Sequence, residues 1–168
     1  MRAGGRTSTA RSGAVEFWPI RRPPTHPDRE RDRAPPARVL GHPPGYGSSM
    51  AKPYSDALLA DGPLLFVSGQ TPEAPDGDVA FDITGQTRQI FRNLTEILER
   101  HGAGPGHLVK LTYYLRHITD LDEFRGALLA CLPDGHLPAA TLVEVSGLVN
   151  PRYLLEIDAV ACLPREHG

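Results

Sequence analysis

The chain has 168 residues, 40% of them apolar and 23% charged, which suits one folded domain with a real core and an appendage. No apolar run approaches the roughly 20 residues that span a bilayer, and the N-terminus lacks the apolar stretch of a secretory signal. The net charge of −2 hides an asymmetry: residues 1–50 hold nine Arg against four acids, and residues 51–168 hold nine Lys and Arg against sixteen acids.

An acidic folded part offers no basic stripe to track phosphates, so nucleic acid is not the expected partner. Two cysteines, Cys131 and Cys162, make no disulfide framework and fit a reducing, cytoplasmic compartment. Their apolar surroundings suit packing rather than catalysis. His101, His107, His117 and His136 are scattered over loops and element ends, so no metal site is expected.

Residues 1–50 carry eight of the seventeen prolines and six of the seventeen glycines. Segments such as Arg21-Arg22-Pro23-Pro24 sustain neither helix nor ladder pairing, and apolar residues are too few to offset the entropy of ordering. The segment reads as a disordered Arg/Pro/Gly-rich extension to a domain over residues 51–168. It fits an upstream-extended start with Met50-Ala51 as the true beginning, an Arg-rich targeting peptide, or a docking peptide around Phe17-Trp18-Pro19-Ile20. The first is preferred, because ordered signals begin directly after Met50.

From residue 54 the pattern is regular. Ala57–Ala60 and Leu64–Ser68 are short apolar runs separated by Asp61-Gly62, a hairpin signal. After a loop over 72–78, Asp82 or Thr84 can cap a helix in which Ile90, Leu94, Ile97, Leu98 and His101 recur at helical spacing, with Phe91 alongside and Gly102 as the stop. Residues 108–116 alternate as a strand: Val109, Leu111, Tyr113 and Leu115 against Lys110, Thr112, Tyr114 and Arg116. Asp120 and Glu123 have capping-box spacing and open a second helix, with stripe Leu121, Phe124, Leu128 and Cys131 or Leu132. Strands over 141–145 and 153–162 close the order ββαβαββ, an α+β sheet with two helices on one face.

The last strand divides into an apolar face, Tyr153, Leu155, Ile157, Ala159 and Ala161, and a mixed face, Leu154, Glu156, Asp158, Val160 and Cys162. Over 140–145 the alternation sets Thr141, Val143 and Val145 against Ala140, Leu142 and Glu144, and the mixed face is read as including Leu142. Apolar residues with isolated acids on one face suit burial against another subunit, with a cavity at the acids. Glu156 fits a surface ion pair as well as a functional carboxylate; Asp158 and Glu144 suit structural or solvated roles.

Short segments across residues 54–161 together resemble the reactive intermediate deaminase (Rid, YjgF-type) family. They include Pro53-Tyr54-Ser55, Phe66-Val67-Ser68-Gly69-Gln70, Gln86-Thr87-Arg88-Gln89 with Asn93-Leu94, Val109-Lys110-Leu111-Thr112, Pro138-Ala139-Ala140-Thr141-Leu142-Val143-Glu144-Val145 and Leu155-Glu156-Ile157-Asp158-Ala159-Val160-Ala161. The resemblance implies a chorismate-mutase-like fold and a homotrimeric barrel with a small-molecule cleft between each pair of subunits. It also implies cofactor-free hydrolysis of enamines and imines to a keto acid and ammonia. By position, Tyr54 lines the cleft, Ser68 and Gly69 form its floor, and Glu156 positions or activates water. Tyr114 is at most a cleft wall, and Leu142 is a further expected substrate contact.

One position departs. Deaminating members have arginine where this chain has Ala140, and that guanidinium grips the substrate carboxylate as a bidentate fork. Its loss is expected to weaken action on small imino acids by several powers of ten, with Arg116 as a surrogate cation. The expected function is therefore a Rid-like enzyme acting on a larger or uncharged enamine, imine or related labile intermediate. The alternative is a non-catalytic trimeric module that binds a metabolite or a protein. The family's occasional description as ribonucleases fits least, given the acidic domain.

Overall fold

The computed structural model describes residues 53–165 and the backbone of Ala37–Leu40. Strand β1 (Ala37–Leu40) pairs antiparallel with β2 (Ala57–Ala60) in a two-stranded sheet. Strands β3 (Leu64–Gln70), β4 (Leu108–Leu115), β5 (Ala139–Glu144) and β6 (Leu155–Cys162) form a second sheet in the order β3-β6-β4-β5. Helices α1 (Ile83–Glu99) and α2 (Leu121–Cys131) complete the α+β fold.

The apolar runs on either side of Asp61-Gly62 do not pair as the hairpin expected. β2 takes β1 as its partner, and β3 takes β6. Periodicity identifies strands but not their partners, and here a segment distant in sequence competes for the edge of β2. Four residues of the N-terminal extension are thus a strand. The Phe17-Trp18-Pro19-Ile20 segment and Met50 lie outside the described residues.

Helix α1 begins where its side chains dictate. Asp82 is the N-cap and accepts a 2.7 Å hydrogen bond from the Gly85 amide, a cap of about 1 kcal/mol. It buries Ile83, Ile90, Phe91, Leu94 and Leu98, each contributing about 1.5–3 kcal/mol for a fully buried large side chain. Gly102, at φ +66°, ends the run. The expected capping box of α2 does not form: Asp120 makes no side-chain cap bond, and Glu123 accepts from the Thr84 hydroxyl at 3.1 Å. An inter-helix bond has taken the partner that the local motif needed.

Beneath the helices lies one face of the sheet. Leu111, Tyr113 and Leu115 of β4 and Leu155, Ile157, Ala159 and Ala161 of β6 are buried there. Tyr113 meets Phe124 of α2 edge-on, with ring centroids 5.0 Å apart.

The strand β5 corrects the expected faces. It runs parallel to β4, with Leu111 opposite Ala140, Tyr113 opposite Leu142 and Leu115 opposite Glu144. Opposed residues share a face, so Ala140 and Leu142 belong with the core, against which both are packed. Thr141 and Val143 share the other face with Glu156 and Asp158. Both alternating sets of β5 hold apolar residues, so composition did not fix the phase; pairing with β4 does.

A buried glutamine fixes the entry to β6. Gln86 donates to the carbonyls of Ala80 at 2.9 Å and Arg152 at 2.8 Å, and accepts from the Leu154 amide at 2.7 Å. Those bonds hold the chain immediately ahead of Leu155 and Glu156 against α1.

Candidate active site

The outer face of the sheet presents three rungs. Phe66, Val160, Lys110 and Ala139 form the first, by register; Asp158, Thr112 and Thr141 the second; Glu156, Tyr114 and Val143 the third. Tyr114 donates to Asp158 Oδ2 at 3.0 Å, and Lys110 donates to the Thr141 hydroxyl at 2.6 Å. The bond to Asp158, with the negative charges of Asp158 and Glu156, raises the Tyr114 pKa above the ordinary tyrosine value. Burial lowers that of Lys110, and Asp158 opposes the shift. Asp158, expected to be structural or solvated, thus ties Tyr114 into the polar middle of this face.

Glu156 stands at the edge of that cluster, beside an irregularity in β3. Val67 pairs with Ala159 but Gln70 with Ile157, so Ser68 and Gly69 together oppose the single residue Asp158. This is a β-bulge, a device that re-aims side chains and is frequent beside active sites. At Gly69 the Glu156 carboxylate fills the space a side chain would take: a Cβ there would fall 2.0 Å from Oε1 and 2.9 Å from Cδ. Gly69 is thus required by close approach rather than by backbone conformation, since its φ is not among the positive values.

Tyr54 occupies different ground. Ser55 bridges to Ala139, its amide donating to the Pro138 carbonyl at 3.2 Å and its hydroxyl to the Leu137 carbonyl. This anchor brings Tyr54 beside the start of β5. There a pocket of about 310 Å³ is lined by Tyr54, Ala140, Leu142, Tyr113, Phe124 and Leu128, with Pro53 and Arg125. The Tyr113 hydroxyl is buried with no hydrogen-bond partner among the described residues, and burial pushes its pKa above the ordinary value.

The structure therefore separates the sequence-predicted residues into two groups. Ser68, Gly69, Tyr114 and Glu156 gather at the outer face and its bulge. Tyr54, Ala140 and Leu142 gather in the pocket on the helix-covered face. Arg116, the expected surrogate cation, donates to the carbonyls of Val145 and Ser146. Any substrate role for it would compete with those bonds. Glu144 accepts from the Ile118 amide at 2.9 Å, a structural use. Sequence reasoning passed over Arg125, which sits one residue after the core Phe124 and so reads as solvated surface. Among the described residues, no group of three or more His, Cys, Asp or Glu could hold a metal ion, and no helix is long and apolar enough to cross a membrane.

This α+β domain has counterparts among known proteins. Residues 47–163 match the family model described as endoribonuclease L-PSP. A RutC family protein of Pyrococcus horikoshii is 37% identical over 111 residues, covering 65% of this chain and 86% of that one. The 2-iminobutanoate/2-iminopropanoate deaminase of Salmonella typhimurium is 33% identical over 103 residues, covering 60% and 80%. In three dimensions, the Rid family protein YyfB of Yersinia pestis superposes with a TM-score of 0.67 at 29% identity, over 76% of this chain and 99% of its own. The chain belongs to the Rid (YjgF-type) family, which the endoribonuclease L-PSP model describes. Some members of that family are imine deaminases.

Proposed function

We propose that this chain is a cofactor-free, Rid-type enzyme. It would hydrolyse an enamine, an imine or a related labile intermediate other than the usual small imino acid, in clefts between the subunits of a cytoplasmic homotrimer. The observation that carries the reading is the Glu156 carboxylate held over Gly69. Hydrolysis adds water to the C=N carbon; the water loses a proton and the imine nitrogen gains one. The resulting carbinolamine then expels ammonia as its C–N bond breaks and the carbonyl forms. A carboxylate can relay those protons. The clearance at Gly69 fixes Glu156 on the side of the bulge, and the neighbouring Tyr114–Asp158 bond fixes the polar surroundings. Tyr54 and Glu156 are the proposed catalytic residues; Ser68, Gly69, Tyr114, Ala140, Leu142 and Arg116 are the proposed substrate contacts.

The deaminase named among the relatives supports the reaction class. The acidic domain favours a small-molecule substrate over RNA, despite the family model's description. The outer face also supports the trimer: Phe66, in its first rung, is 75% exposed, and Leu64 is 48% exposed.

One observation favours a second reading. Ala140 leaves β5 without a cation in the pocket, as suits a trimeric module that binds a metabolite or a protein without turnover. Glu156→Gln separates the two. Nearly isosteric, it is expected to keep the melting temperature and oligomeric state while removing most turnover of oxidase-generated imines, followed against a semicarbazide trap. Turnover surviving within about threefold, under 1 kcal/mol of barrier, would make Glu156 structural and bring the binding module forward.

A further inference from the structure

The pocket beside Ala140 contains one charged residue among those that line it, and it comes from a helix. Arg125 on α2 lines the same space as Tyr54 and Ala140. Its guanidinium is weakly committed: among the described residues its ion pair is with Asp122 at 3.8 Å, one turn away, and the two side chains are 40% and 94% exposed. Such a pair contributes little, so the guanidinium can exchange it for a ligand at small cost. The partial exposure of Arg125 sets it where the pocket meets solvent. Tyr113, Phe124 and Leu128, all buried, form the inner wall. That wall is apolar apart from Tyr113, whose hydroxyl is buried without a hydrogen-bond partner among the described residues.

A cation at the rim and an apolar chamber select one chemical class: a compact apolar body joined to a carboxylate. The volume, about 310 Å³, lies in the range of small-molecule sites. Arginine would fill part of this space if it stood at residue 140; alanine leaves it to the ligand.

We propose that Arg125 is the carboxylate anchor of this protein. The substrate is then a 2-imino or 2-enamino acid with a branched or aromatic side chain, its carboxylate on Arg125 and its apolar group against Phe124 and Leu128. The assignment of an imine rests on the hydrolase reading; the assignment of Arg125 to a carboxylate does not.

Calorimetry on the full chain tests it with three stable probes: 4-methyl-2-oxopentanoate, its neutral amide and pyruvate. The branched acid is expected to bind at least tenfold more tightly than either of the others. Arg125→Gln should weaken binding of the acid tenfold or more and leave the amide unchanged, and Arg125→Lys should restore part of the loss. Melting temperatures should move little, because among the described residues the ion pair of Arg125 is the long one with Asp122. The proposal is overturned if wild-type protein binds no acid, if it binds acid and amide equally, or if Arg125→Gln binds the acid within threefold of wild type. Turnover of oxidase-generated imines, measured in parallel, keeps the two claims apart. Charge-dependent binding without turnover removes the hydrolase and leaves the anchor, whereas turnover indifferent to Arg125→Gln does the reverse.

Discussion

Gly69→Ala puts the proposed catalytic geometry to its sharpest test. The added Cβ would stand 2.0 Å from Glu156 Oε1, whereas ordinary contact needs about 3.5 Å. The carboxylate must therefore withdraw by roughly 1.5 Å, which a flexible glutamate does by rotating. Misplacing a reacting group by about 1 Å costs on the order of 10²-fold in rate. The expected loss is thus at least about 10²-fold in kcat/KM, near 2.7 kcal/mol of barrier. Stability should move the other way. Gly69 is exposed and its φ is not positive, so alanine fits the backbone, and a stiffer unfolded chain contributes about 0.4–1 kcal/mol. Thermal melting and initial rates on oxidase-generated imines give both numbers from one preparation. A variant that melts as wild type and turns over within threefold of it would show that the position of the carboxylate over the bulge is irrelevant to the chemistry.

Two further outcomes follow from other parts of the structure. Gln86→Leu leaves the carbonyls of Ala80 and Arg152 and the amide of Leu154 without partners, and is expected to destabilise by about 3 kcal/mol; urea denaturation showing less than 1 would mean that the loop before β6 finds other partners. Phe66→Asp, at the most exposed position of the outer face's first rung, is expected to convert a trimer into monomers by light scattering without unfolding the chain, and a wild-type protein that is already monomeric would refute the interface.

The helices and the central strands were legible because local periodicity and burial agree. The stripe Ile90, Leu94, Leu98 and the alternation of Leu111, Tyr113, Leu115 appear in the fold as the sequence orders them. What stayed hidden depended on partners distant in sequence. The choice of β1 over β3 as partner for β2 cannot be read from either apolar run. The phase of β5 is equally hidden, since Thr141 and Val143 look as suited to a core as Ala140 and Leu142 do. The candidate site divides along the same line. Glu156 and Gly69 could be named from their motifs, but the fit between them is a property of the bulge. Arg125 could not be named, because nothing in α2 distinguishes an arginine beside a pocket from one in solvent.

The separation of the two groups bears on what the fold can do alone. Tyr113 and Tyr114 are adjacent residues pointing to opposite faces of β4. The pocket with Tyr54 and Ala140 belongs to the face of Tyr113, and Glu156 to that of Tyr114. A small imine seated against Phe124 cannot reach a carboxylate across the sheet of its own chain. If Tyr54 and Glu156 act on one molecule, they must come from different copies, with the pocket of one subunit facing the bulge of the next. Trimer formation and turnover are then a single property. Phe66→Asp should abolish both together, although Phe66 touches neither group by register, whereas charge-dependent binding at Arg125 should survive in the isolated monomer. That divergence between binding and turnover would not arise if each chain held a complete site.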